Sequence, residues 1–183
     1  MNKTDLSVYT TGNYSTGAGV VKRTLWYFVN IVFFISPLIP VSSLKIALLR
    51  LFGAKIGKGV VIKPAVNIKY PWKLSIGNYS WIGEKAWIDN LDQVKIGENC
   101  CISQGAMLLC GNHNFRKSSF DLITRPIVLE DGAWVGAHSV VCPGVTCKSH
   151  SVLAVNSVAT RDLEPYFIYQ GNPALKTKER FID

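Results

Sequence analysis

A chain of 183 residues that is 48% apolar and 17% charged can fill one substantial core, and this composition excludes a disordered protein. Its net charge of +8 suits an anionic partner, yet its Lys and Arg residues are scattered and no nucleic-acid-binding motif accompanies them, so nucleic acid is not expected to be the target. Five cysteines, two adjacent and none in a CxxC pair, exclude a zinc ribbon, and a chain of this size needs no disulfide framework; free thiols in a reducing cytosol are expected.

The opening "MNKTDLSVYTTGNYSTGAG" is polar and lacks the apolar centre of a secretory signal. Residues 25–41, "LWYFVNIVFFISPLIPV", are strongly apolar, but the run is shorter than the roughly 20 residues a bilayer span needs. Pro37 and Pro40 also break it. "SSLKIALLRLFG" then reads as a short amphipathic helix stopping at Gly53. Two readings of residues 1–53 stay open. In the first, preferred here, helices cap the end of the repeat that follows and hide its unpaired strand edge. In the second, the apolar run makes a peripheral contact with the membrane.

From Ile56 the sequence repeats. Steps of six give Ile56, Ile62 and Ile68, then Ile76, Ile82 and Ile88, then Ile96, Ile102 and Leu108. After a break the same step gives Leu129, Val135, Val141, Cys147, Leu153 and Ala159. Four residues beyond these anchors the side chain is usually small, as at Val60, Ala86, Ala106, Ala133 and Ser157; Asp92 is the exception and marks a local distortion. Glycine often follows the anchor directly, at Gly57, Gly77, Gly83, Gly97 and Gly136, where it is expected to supply unusual backbone angles at corners. A period of six fits neither an isolated helix nor one alternating strand. It fits short strands joined by tight corners and wound into a coil, three hexads to a triangular turn, with turns about 4.8 Å apart. Each turn buries its inner face only against its neighbours, so stability grows by stacking. Cys100 and Cys147 fall on inward positions and read as small core residues rather than reactive thiols.

The six-step fails between Leu108 and Leu129, so residues 109–128 must leave the coil as a loop. Loops on a rigid scaffold commonly carry chemistry, and this one opens on Gly111-Asn112-His113, with one of only three histidines in the chain.

These features resemble the hexapeptide-repeat acyltransferases, whose fold is a left-handed parallel β-helix, over residues 54–175. His113 near a glycine, then Trp134-Val135-Gly136, Pro143-Gly144-Val145 and the closing "NSVATRDLEPYFIYQGNPA" are similar to the sugar O-acetyltransferase branch. "LLRLFGAKIGKGVVIKPAVNIKYPWKLSIGNYSWIGE" and the apolar segment before it resemble colanic acid acetyltransferases of the WcaF type. The resemblance implies an acetyl-CoA-dependent transfer to a sugar hydroxyl in exopolysaccharide synthesis, in the cytoplasm or at the inner face of the membrane. It also implies a homotrimer, with coenzyme A and a saccharide acceptor as partners and no metal. His113 would be the general base, a task suited to a neutral imidazole, with a carbonyl or carboxylate orienting its ring. Trp134 would flank the pantetheine arm, the N–H of Ala137 the thioester, and Thr160 and Arg161 the nucleotide end, with the basic tail 176–183 adding attraction for phosphate. Asp89 and Asn90 would contact sugar hydroxyls. His138 is either a solvated coil position or a neighbour of the cofactor, and His150 reads as surface.

The sequence also admits three other readings. N-acetylation of an amino sugar uses the same histidine and scaffold, but those enzymes often carry an extra nucleotide-binding domain. A zinc carbonic anhydrase occurs on this fold, but it needs three convergent imidazoles, and His113, His138 and His150 lack the close spacing. A non-catalytic β-helix scaffold would leave the His113 loop, Trp134 and the closing Gly-Asn-Pro-Ala without a task.

Overall fold

The computed structural model describes residues 3–183. Helix α1 (Val20–Val29) runs on into a π-helical turn over Asn30–Ile35, and α2 covers Ser42–Leu51. The first coil then holds β1 (Lys55–Ile56), β2 (Val61–Ile62) and β3 (Asn67–Ile68), and the second β4 (Leu74–Ile76), β5 (Trp81–Ile82) and β6 (Trp87–Asp89). The third holds β7 (Val94–Ile96), β8 (Cys101–Ile102) and β9 (Met107–Leu109), followed by the hairpin strands β10 (Gly111–His113) and β11 (Leu122–Thr124). Two further coils hold β12 (Ile127–Leu129), β13 (Trp134–Val135) and β14 (Val140–Val141), then β15 (Thr146–Cys147), β16 (Val152–Leu153) and β17 (Val158–Ala159). Strands β18 (Phe167–Gly171) and β19 (Ala174–Glu179) end the fold as an antiparallel hairpin.

Three parallel faces result, in the orders β1-β4-β7-β12-β15, β2-β5-β8-β13-β16 and β3-β6-β9-β14-β17, with β18 and then β19 extending the second. This is the coil the repeat implies, and the left-handed β-helix that the resemblance implies. The anchors lie in vertical register. Ile62, Ile82, Ile102, Val135 and Leu153 form one inner column that ends on Tyr169. Ile68, Ile88, Leu108, Val141 and Ala159 form the next. Ile76, Ile96, Leu129 and Cys147 form the third, below a half-buried Ile56.

The glycines after the anchors have a different task from the one expected. None of Gly57, Gly77, Gly83, Gly97 and Gly136 has a positive φ; each lies against the next coil. A Cβ on Gly77 would come 2.6 Å from the carbonyl carbon of Gly97, and one on Gly83 would come 2.6 Å from the amide nitrogen of Gln104. The left-handed residue of the corner stands two places later. It is Ala65, Tyr79, Lys85, Asn99, His138, His150 and Asn156, all with φ between 54° and 59°, and glycine at other corners such as Gly105. His138 and His150 are therefore corner residues.

The corner between the third face and the first is the variable one. In the first two coils it carries two extra residues, around Tyr70–Lys73 and Asn90–Gln93, and in the third it carries an insertion of residues 110–126, because Leu109 and Ile127–Val128, expected in the loop, pair within the coil. This is the distortion that Asp92 marks: the longer corner hands its inward place to Val94, which is fully buried.

The helices cap the first coil, and their side chains reach all three of its faces. Arg50 donates to the carbonyl of Ile56 at 2.8 Å on β1. Ser42 Oγ accepts from the Ile62 N–H at 2.9 Å, and Lys45 Nζ, fully buried, donates to the carbonyl of Lys63 at 2.9 Å. Trp26 Nε1 donates to the carbonyl of Ile68 at 2.8 Å, and Asn30 Nδ2 donates to Asn67 Oδ1 at 2.8 Å. A cap of this kind is needed because an exposed coil end presents unpaired amides and carbonyls. At the other end the tail residues 176–179 are part of β19, paired to β18 across a Gly171-Asn172-Pro173-Ala174 turn.

Because Gly83 meets backbone that cannot yield, Gly83→Ala is expected to cost about 1–3 kcal/mol in urea unfolding. Lys85→Gly, two residues on at a left-handed corner, should be close to neutral. Equal costs would show that torsion, not contact, selects glycine after the anchor.

Candidate active site

The insertion forms a β-hairpin, with β10 and β11 antiparallel and His113 opposite Leu122. His113 Nδ1 lies 3.0 Å from the carbonyl oxygen of Phe120. A carbonyl only accepts, so this nitrogen carries the proton and Nε2 keeps its lone pair. The Phe120 ring stacks on the imidazole at 4.4 Å and 9°, and Tyr9 lies 5.8 Å away at a tilt of 54°. The orienting group left unidentified in the sequence is thus a backbone carbonyl seven residues on. Below the ring, Asn114 N–H donates to Asp121 O at 2.8 Å. Hydrogen bonds from Ser119, then from Lys117, hold the Asp121 carboxyl below its ordinary range.

The polar N-terminal stretch, given no role in the sequence, runs along this edge. Trp72 Nε1 donates to Thr16 O at 2.7 Å, and Lys73 Nζ bridges Ser15 O at 2.7 Å and Leu91 O at 2.6 Å. Farther along, Leu122 N–H donates to Thr10 O at 3.1 Å and Asp5 N–H donates to Ser118 O at 2.8 Å. Residues 5–16 therefore clamp the hairpin and bring Tyr9 to His113. Tyrosines spaced through a polar opening, at Tyr9 and Tyr14, were the only sequence signal.

Asp89 and Asn90 separate in the structure. Asn90 is fully buried; its Oδ1 accepts from Tyr70 N–H at 2.9 Å and its Nδ2 donates to Tyr70 O at 2.6 Å. The amide of Asn90 therefore continues the strand pairing at the long corner and is buried there, where a sugar contact was expected. Asp89 lies 2.8 Å from Lys69 Nζ and lines a cavity of about 390 Å³ together with Trp87, Tyr70, Asn67 and Asn30. Nearby, Tyr14 Oη is buried without a partner among the described residues. Burial, with Tyr70 and then the carboxylates of Asp89 and Asp92, pushes its phenol far above the ordinary range.

The residues expected to meet coenzyme A sit elsewhere on the prism. Trp134 stands exposed on the second face and donates from Nε1 to Ser103 Oγ at 2.9 Å. That serine lines a cleft of about 340 Å³ with Trp81, Cys101 and Gln104. Ala137 is at the next corner, half-buried, its carbonyl accepting from Asn156 N–H at 3.0 Å. Thr160 and Arg161 are exposed just after β17, on the long-corner edge but two coils beyond His113. One subunit therefore does not gather Trp134 and His113 at a single corner. His150 stacks on Tyr166 at 4.8 Å and meets Ser149 Oγ at 2.7 Å, a structural corner.

Cys100, Cys110 and Cys147 are buried free thiols. Burial pushes the Cys100 thiol up to about 11 and the Cys110 thiol up to about 12, and raises that of Cys147 beyond them. None can supply a thiolate near neutrality.

The chain belongs to the hexapeptide-repeat acetyltransferases. It is 37% identical over 177 residues, 96% of this chain and 97% of the relative, to the "Putative colanic acid biosynthesis acetyltransferase WcaF" of Escherichia coli (strain K12). It is 28% identical over 137 residues, 73% of this chain and 67% of the relative, to galactoside O-acetyltransferase of the same strain. In fold it is similar to a hexapeptide-repeat-containing acetyltransferase of Vibrio cholerae O1 biovar eltor solved with acetyl coenzyme A, with a TM-score of 0.80, 22% identity, and 91% of this chain and 92% of that one covered. No family model matches the chain.

Two outcomes follow from the geometry. Nitrogen-15 spectra of His113 near neutral pH should show the proton on Nδ1; a dominant Nε2–H tautomer would remove the Phe120 carbonyl as its orienting group. In native protein at pH 8, a thiol reagent should reach only the half-buried Cys101 and Cys142, with the other three reacting after denaturation.

Proposed function

We propose that this protein is an acetyl-CoA-dependent O-acetyltransferase acting on a sugar hydroxyl in exopolysaccharide synthesis of the colanic-acid type, on the cytoplasmic side. The observation that carries this reading is the state of His113. With Nδ1 committed to the Phe120 carbonyl, Nε2 is available to take the proton of an attacking hydroxyl. A sugar hydroxyl does not ionise at neutral pH, so this transfer must accompany attack on the thioester carbonyl. The same nitrogen then returns the proton to the departing thiolate of coenzyme A. A backbone N–H, with that of Ala137 as our candidate, receives the charge developing on the carbonyl oxygen. No metal is needed for these steps.

Acetyl coenzyme A is the donor in this reading because the family is one of acetyltransferases. Trp134 offers an apolar wall for the pantetheine arm, and Thr160 and Arg161 offer a hydroxyl and a guanidinium to the phosphates. Trp134 lies on the second face, away from the corner of His113, and Thr160 and Arg161 lie on that corner but two coils farther along; we therefore assign these groups to neighbouring subunits of a homotrimer, each site being completed across an interface. On the acceptor side Asp89 and Trp87 line the cavity, and a carboxylate beside an aromatic face suits a sugar's hydroxyls and its apolar ring face.

The test is thiol release from acetyl-CoA across a panel of sugars, nucleotide sugars and lipid-linked saccharides. His113→Ala should lower kcat by about 10²- to 10⁴-fold, with coenzyme A affinity and thermal midpoint unchanged. Undiminished turnover in the variant would remove His113 as the base. A folded wild type that does not bind coenzyme A would remove the enzyme reading itself.

A further inference from the structure

Helix α1 and its π-helical extension are apolar on both sides. One side enters the core through Trp26 and Phe34. The other side faces outward with no polar stripe: Val21 is 74% exposed, Leu25 55%, Phe28 60% and Val32 51%. These four recur at helical spacing, and Val20, Tyr27, Ile31, Ile35 and Leu38 widen the patch. A helix on the surface of a soluble protein ordinarily turns polar residues to water, and a contiguous apolar area of this kind marks a contact. Thirteen of the seventeen residues in 25–41 are apolar: the inner side serves the coil, and the outer side faces away from it.

The charge around the patch says what that partner is. From Leu6 to Gly83 the chain has nine Lys or Arg and no Asp or Glu, whereas the remaining coils are nearly balanced. Lys45 is buried and Lys69 pairs with Asp89, but the other seven are half-buried or exposed, so the capping end is a cationic surface carrying an exposed apolar helix. A second copy meeting it end to end would set these cations against themselves. An anionic bilayer offers both an apolar layer and negative headgroups. Among the described residues no helix is long and apolar enough to cross a membrane, which leaves a helix lying in the interface.

We propose that the outer face of residues 20–38 docks the protein on an anionic lipid bilayer, with Val21, Leu25, Phe28 and Val32 among the acyl chains and the flanking cations at the headgroups. The cavity holding Asp89 opens beside this face, for Tyr27, Ile31 and Ile35 line it as well. Docking therefore sets that cavity at the membrane surface, where a lipid-borne saccharide would reach it; this last consequence rests on the acetyltransferase reading, while docking itself does not.

The test is flotation of the full chain with vesicles of phosphatidylcholine alone or containing about one-third phosphatidylglycerol, at low and high salt, without acetyl-CoA. Wild type should float with the anionic vesicles, and less so with neutral vesicles or at high salt. The double variant Leu25→Glu/Phe28→Glu, both positions facing solvent, should partition at least about tenfold less while keeping its thermal midpoint and coenzyme A affinity. Wild type that floats with neither vesicle, or a variant that floats as well as wild type, overturns the proposal. So does a wild type that sediments as a larger assembly than the variant in lipid-free buffer, which would give the face to a second copy. Failure of coenzyme A binding alone would sink the enzymatic reading and leave docking standing.

Discussion

Each coil of this protein buries its inner face only against the coils above and below it. Everything else in the structure answers to that constraint. The aliphatic anchors must fall in columns, so strands are short and their register is held from coil to coil. The corners must stack as closely as the strands, so backbone meets backbone after each anchor and glycine is required there. The two ends, having no further coil, must be closed by something else. The N-terminal helices close one end with hydrogen bonds to every face, and the β18–β19 hairpin extends the second face at the other.

A scaffold this repetitive leaves little room for a site within its walls. The candidate site lies where the repeat is loosest, at the corner that already holds two extra residues in the earlier coils. An insertion there disturbs no column, and the hairpin it forms can hold an imidazole in one tautomer through a local carbonyl. The N-terminal segment then lies across the same edge, anchored on Trp72 and Lys73 below and on the hairpin above. One strap thus links the capping end to the catalytic candidate, and Tyr9 is its point of contact with His113.

The cap also has two obligations that its composition reflects. Its inner side replaces a coil, so it must be apolar and must also carry donors and acceptors such as Trp26, Asn30 and Lys45 for the unpaired edge. Its outer side has no such duty to the fold, yet it is as apolar as the inner one. That excess lies within a stretch free of acidic residues.

The sequence by itself determined the coil, the inward columns, the inert cysteines and the position of the loop. Each of these follows from a period of six, which expresses contacts between residues that are close in the chain or one coil apart. Only the tertiary structure decided the rest. Glycine after the anchor reads the same whether it serves torsion or close approach, and only the neighbouring coil's backbone tells them apart. Asn90 beside Asp89 reads as a pair of polar ligands, but the long corner turns one amide inward to Tyr70 and leaves one carboxylate in a cavity. The partner of His113 Nδ1 is a backbone carbonyl, which every residue has and no side chain announces. Tyr9 reaches His113 from more than a hundred residues away, because a polar strap with no periodicity of its own finds its path only on the finished edge.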